Sequence, residues 1–231
     1  MQKGQATQRH KILILAAIPH GLRLDKEIRS IRECIERAAR RYMFKVDLRT
    51  AVQPKDIRRA IADEKPTIVH FCGHGLKDGS LLLEDDGGNN KPVSPEGLAS
   101  LFELHRDYVD CVVLNACDSV KSAEAISNYI NYAIGMNQEI HPESAITFAQ
   151  GFYDGLGYEI SANQDQFQRA FEEGLAAIKL EQELSEAEIP VIKKKEILIP
   201  EILIPEISSQ EIFPKISPSA TPISLLDENR N

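Results

Sequence analysis

The sequence predicts an α/β fold: a doubly wound, mostly parallel sheet with helices on both faces. Two observations carry this. Short, almost uninterrupted apolar runs (Lys11–Ile18, Thr67–Phe71, Cys111–Asn115) have the character of strands buried on both sides. Amphipathic stretches of helical period alternate with them, which is the pattern of right-handed β-α-β crossovers.

The elements follow in chain order. Lys11–Ile18 (KILILAAI) is the first strand. Residues 25–41 form a helix whose Ile28, Ile31, Ile35 and Ala38 share one stripe, with the charges elsewhere. Phe44–Leu48 is a second strand, and 54–62 a short helix with Pro54 near its first turn. Thr67–Phe71 (TIVHF) is a third strand and runs into the turn Gly73-His74-Gly75. Leu81–Leu83 belongs to a small hairpin or arm, with Gly87 to Asn90 as its exposed tip. Ser94 caps a helix that reaches about Leu104. Cys111–Asn115 (CVVLN) is a fourth buried strand, 122–128 a helix, and Tyr132–Gly135 a fifth strand. Residues 142–156 and 164–180 complete the set as two helices.

These elements place one domain over residues 10–180. From 181 to 231 the character changes. Ten Asp and Glu face five Lys and Arg there, so this segment supplies −5 of the net −8. It holds half of the chain's prolines, and Glu-Ile-Leu-Ile-Pro occurs at 196–200 and again at 201–205. Proline every fifth residue blocks helix and central strand alike, so the segment is expected to be an extended or disordered acidic tail. Its isoleucines suit pairing with a partner's sheet edge.

Composition narrows the function. A net charge of −8 disfavours nucleic acid and anionic membrane as partners. No apolar run reaches membrane length, and 12–18 is too short for a span or a signal peptide. A cytoplasmic protein with reduced thiols at 34, 72, 111 and 117 is expected. The first strand is followed by Ile18-Pro19-His20-Gly21, with neither a dinucleotide fingerprint nor a P-loop, and no cofactor is expected.

Two segments carry the chemistry: Val69-His70-Phe71-Cys72-Gly73-His74-Gly75 and Val113-Leu114-Asn115-Ala116-Cys117-Asp118-Ser119. Each sits where a buried strand gives way to a loop. Ligands in open parallel sheets bind beyond the carboxyl ends of the strands. If the two strands are neighbours, their ends lie about 5 Å apart, and His74 can meet Cys117 across a cleft. A free thiol is only partly ionised at neutral pH, and a neighbouring imidazole raises its reactive fraction. Gly75 lets its backbone N–H approach a substrate closely, so with the N–H of Cys117 it can form an oxyanion hole. His70, inside a strand, reads as structural, and Cys34 and Cys111 as packing residues. A zinc set of His70, Cys72, His74 and Cys117 is the chemical rival, but Gly73 and Gly75 interrupt the strand it needs. No metal is therefore expected, and Glu84-Asp85-Asp86 reads as a solvated turn without EF-hand spacing.

The first segment resembles the Ser-Gly-His-Gly motif of caspase-like peptidases, and Asn115-Ala116-Cys117-Asp118-Ser119 resembles their Ala-Cys nucleophile turn. The chain is most similar to the CHAT domains. The similarity extends over Ile14–Ala17, Leu24–Ile28, Ile134–Asn137 and Ala145–Gly157. It implies a caspase-like fold and a cysteine endopeptidase of bacterial type, acting on protein or peptide substrates. In that chemistry His74 is the base and Cys117 the nucleophile, with the amides of Gly75 and Cys117 as oxyanion donors. Cys72 replaces the usual Ser. Asn115 stands where some relatives carry an Asp that binds a basic substrate side chain. The neutral Asn removes that charge, and Asp118, Glu84, Asp85 or Asp86 could supply it instead. The resemblance also implies activation by a protein partner. Its rival is a catalytically silent caspase-like scaffold.

Overall fold

The computed structural model describes residues 10–17, 24–159, 161 and 163–196. Its centre is a six-stranded sheet in the order β2-β1-β3-β7-β8-β9. Strands β1 (His10–Ala16), β2 (Phe44–Thr50), β3 (Ile68–Cys72), β7 (Cys111–Asn115) and β8 (Tyr132–Met136) are mutually parallel where they pair. Strand β9 (Pro190–Lys194) runs antiparallel along β8, with Met136 opposite Pro190 and Tyr132 opposite Lys194. The fold is the mostly parallel α/β architecture that the alternation of strands and helices implies.

Side-chain alternation along the strands divides the core in two. Ile12, Ile14, Ile68, Cys72, Cys111, Val113 and Ile134 join one apolar cluster with helices α1 (Leu24–Arg37), α5 (Pro142–Gly157) and α6 (Gln166–Glu181). Leu13, Leu15, Val69, Phe71, Val112 and Leu114 face the other way, onto α2 (Pro54–Glu64), α3 (Pro95–Glu103) and α4 (Val120–Ser127). A strand buried on both faces needs apolar residues at consecutive positions, which is why KILIL and CVVLN carry no polar alternation.

Helix starts follow ordinary capping chemistry. Pro54, Pro95 and Pro142 occupy first-turn positions. Ser94 Oγ accepts from the N–H of Gly97, and Asp165 from that of Gln168. Between β3 and α3 a separate three-stranded antiparallel arm forms from β4 (His74–Gly75), β5 (Leu81–Glu84) and β6 (Asn90–Val93). The arm is more firmly anchored than its glycine and polar content suggests. Leu81 and Leu83 are fully buried, and Ser122 Oγ on α4 donates to the carbonyl of Gly79 at 2.6 Å.

The expected tail boundary moves. Residues 184–188 form a 3₁₀ turn, and 190–194 enter the main sheet as β9. Pro190 opens that strand at a position where its missing N–H costs little, and Ile189 is buried beneath it. The Glu-Ile-Leu-Ile-Pro repeat lies, apart from Glu196, outside the described residues.

Candidate active site

Strands β3 and β7 are adjacent, and their last residues, Cys72 and Asn115, are register partners. His74 and Cys117 each stand two residues beyond those partners, so the two chains leave the sheet side by side. They meet at Gly75. A Cβ built there would lie 1.8 Å from the carbonyl oxygen of Cys117 and 3.3 Å from its nitrogen. Only a residue without a side chain allows the His74-Gly75 backbone to lie against the cysteine turn. Both His74 and Cys117 are partly exposed.

The cysteine turn is held from below. Asp118 takes a left-handed conformation (φ 54°), and its N–H donates to the carbonyl of Gln138. Asp is among the residues that tolerate this region. Fully buried Ser119 donates through Oγ to the carbonyl of Leu114 and accepts from the N–H of Met136, both at 3.0 Å. One hydroxyl therefore ties the turn to β7 and to β8.

The four thiols divide clearly. Burial pushes the Cys72 and Cys111 thiols far up, reinforced by Glu27 in the first case and by Asp110 and Asp165 in the second. Cys34 is pushed up to about 12 by burial and by Asp154. All three are buried, while Cys117 is partly open. High-pKa thiols in apolar surroundings are inert.

Beneath the turn lies a polar network that the sequence pattern did not reveal. Glu27 of α1, only 5% exposed, accepts through Oε1 from His70 Nε2 at 2.9 Å and from Asn115 Nδ2 at 2.7 Å. Asn115 Nδ2 also donates to the carbonyl of Ala145 on α5 at 3.0 Å. The Cys72 thiol lies within 4.8 Å of the same carboxylate. Glu27 was assigned to the polar side of its helix, but its spacing to Leu24 and Ile31 puts it on the buried stripe. That spacing, read together with the in-strand His70, is the signal that could have found the pair. The donor atoms of Glu27, His70 and Cys72 lie within 4.8 Å of one another, so these described residues could in principle share an ion. His70 and Cys72 thus converge on Glu27 below the sheet end.

A small pocket of about 40 Å³ opens beside Cys117, with Leu24, Pro142, Ala145 and Ile146 among its walls and Glu27 and Asn115 at its polar end. Of the candidate substrate-binding residues, Asn115 lines it. Asp118, Glu84 and Asp85 are not among its lining residues. Asp85 instead organises the arm's distal turn, accepting from the N–H groups of Gly87 and Asn89 at 2.8 and 2.9 Å.

The family model described as CHAT domain matches residues 17–162, which include both loops. The chain belongs to the CHAT family. Relatives of this CHAT domain include a Roc-COR-CHAT protease from an unidentified prokaryote, 26% identical over 156 residues, covering 63% of this chain and 15% of that protein. A second, named Probable protease and from Gillisia limnaea, is 24% identical over 139 residues, 58% of this chain and 25% of that protein. A Roc-COR-CHAT protease from Runella zeae is 29% identical over 124 residues, 46% of this chain and 13% of that protein. The CHAT chain thus spans a quarter or less of the length of these relatives. Among its described residues, no helix is long and apolar enough to cross a membrane.

Proposed function

We propose that this CHAT domain is a caspase-like cysteine endopeptidase with Cys117 as nucleophile and His74 as its general base and acid. The single observation that carries the reading is the backbone contact between Gly75 and Cys117, which brings the His and Cys loops together at the end of two register-matched strands. In the proposed reaction His74 takes the proton of Cys117 Sγ as the sulfur attacks the substrate carbonyl. The C–N bond then breaks, and His74 hands that proton to the leaving amine. Water, deprotonated by His74, hydrolyses the thioester and restores the thiol. The N–H groups of Gly75 and Cys117 are the proposed oxyanion donors; one such donor is worth about 10² to 10³ in rate.

Substrates are protein or peptide segments, and no cofactor takes part. A role as a bacterial effector or signalling protease, in the cytoplasm, completes the reading. Control by a protein partner is part of the same proposal. The experiment is a comparison of new peptide termini in cells expressing the wild-type chain or Cys117→Ala. Termini present only with the wild type are expected; identical sets would favour the silent scaffold.

A further inference from the structure

The pocket beside Cys117 has a chemistry of its own. Its described walls are aliphatic: Leu24, Ile140, Pro142, Ala145 and Ile146. Among the described lining residues its only acid is Glu27, and that carboxylate is already engaged. Oε1 holds two buried donors, His70 Nε2 at 2.9 Å and Asn115 Nδ2 at 2.7 Å. A guanidinium or ammonium reaching Glu27 would give up its hydration to enter a narrow pocket whose carboxylate already accepts two buried donors, which is costly. A carboxylate entering the pocket would meet Glu27 as a like charge. An aliphatic side chain meets mostly apolar walls, with Glu27 and Asn115 confined to one polar end.

We propose that this pocket receives the substrate side chain on the acyl side of the scissile bond, and that it selects a compact aliphatic residue over a basic or an acidic one. The inference rests on Cys117 being the nucleophile, because the pocket is placed by its position on the rim. Glu27 is then a buried tie between α1, β3 and β7, its Oε1 already occupied by two donors. Ala145, near the start of α5, is one of the pocket's lining residues. The site's acceptors, Glu27 and the unpartnered buried Oδ1 of Asn115, define the competing outcome, recognition of an arginine.

The test uses the full chain and a series of peptidyl acyloxymethyl ketones that differ only in that residue: Leu, Met, Arg and Asp. The thiolate displaces the acyloxy carboxylate, forming a C–S bond that intact mass and peptide mapping locate and time. Labelling of Cys117 is expected to be at least ~10-fold faster for Leu or Met than for Arg or Asp, a range typical of apolar pockets. Ala145→Asp, used once circular dichroism shows the fold retained, puts a second carboxylate on the pocket wall and should shift the Arg-to-Leu ratio at least ~10-fold towards Arg. Faster labelling by Arg or Asp, or equal rates for all four, would overturn the pocket's assignment and leave the nucleophile standing. An Arg-to-Leu ratio unchanged in Ala145→Asp would do the same. No adduct on Cys117 from any peptide reagent, while iodoacetamide still modifies it, would overturn both.

Discussion

The Cα of Gly75 faces the carbonyl of Cys117 so closely that a methyl group added there would sit 1.8 Å from the oxygen. This contact fixes the spacing between the two loops that follow β3 and β7. Real Cβ atoms do not approach a carbonyl oxygen to that distance, so Gly75→Ala must push the His loop away from the cysteine turn. The variant should retain the six-stranded sheet by circular dichroism and lose at least ~100-fold in peptide hydrolysis, because misplacement of about 1 Å costs that much. Undiminished hydrolysis in Gly75→Ala would show that the contact is irrelevant to the chemistry.

The thiols supply a second prediction. Burial holds Cys34, Cys72 and Cys111 well above neutral pH in their titration, and only Cys117 is partly open. Iodoacetamide at pH 7.5 should therefore modify the native chain once, at Cys117, and four times after denaturation. Peptide mapping by mass spectrometry reads the sites; early modification of Cys72 in the native chain would contradict the packing.

Glu27 supplies a third. Glu27→Ala leaves His70 Nε2 and one bond of Asn115 Nδ2 without their buried acceptor. Each orphaned group costs about 1–3 kcal/mol, so urea unfolding should show a loss of at least ~2 kcal/mol. Glu27→Gln, which keeps an acceptor oxygen, should recover part of it. Equal stability of all three forms would mean that the network contributes nothing to the fold.

Much of this was legible in the sequence, and the failures have physical causes. Uninterrupted apolar runs located β1, β3 and β7, and the spacing of His74 and Cys117 from them placed both loops at one sheet end. Strand β9 was missed because VIKK, flanked by Pro190 and a run of lysines, is polar on its open edge, and its pairing with β8 is set by distant residues. Glu27 was missed because a charged residue on an amphipathic helix reads as solvent-facing until its partner is known; His70 lies 43 residues away. Glu84 and Asp85 were drawn towards the site by charge alone. Their place on the arm depends on a hairpin turn closed by Asp85 itself.

Asp165 gives a prediction for pH. Burial works to raise its carboxyl, but the N–H of Gln168, Lys194 and the Tyr132 hydroxyl outweigh it and hold the group below the usual carboxylate range. A carboxyl lowered in the folded state contributes stability that is present above the unfolded value, about 3.9, and is lost as pH falls through the folded one. Asp165 also caps α6 and reaches β9 through Lys194. Asp165→Ala should cost about 1 kcal/mol at pH 7, the worth of a cap, and its deficit in Tm relative to wild type should shrink as pH falls below about 4. A deficit independent of pH would remove the charge from the account.

The pairing of His74 with Cys117 is tested most directly by trapping the acyl-enzyme. The chain is mixed with an activated peptide p-nitrophenyl ester, quenched in acid, and its intact mass and peptide map are followed with time. A single acyl group on Cys117 is predicted, absent in Cys117→Ala and formed at least ~100-fold more slowly in His74→Ala, the usual worth of a positioned base. Acylation elsewhere, or at an unchanged rate in His74→Ala, would contradict it.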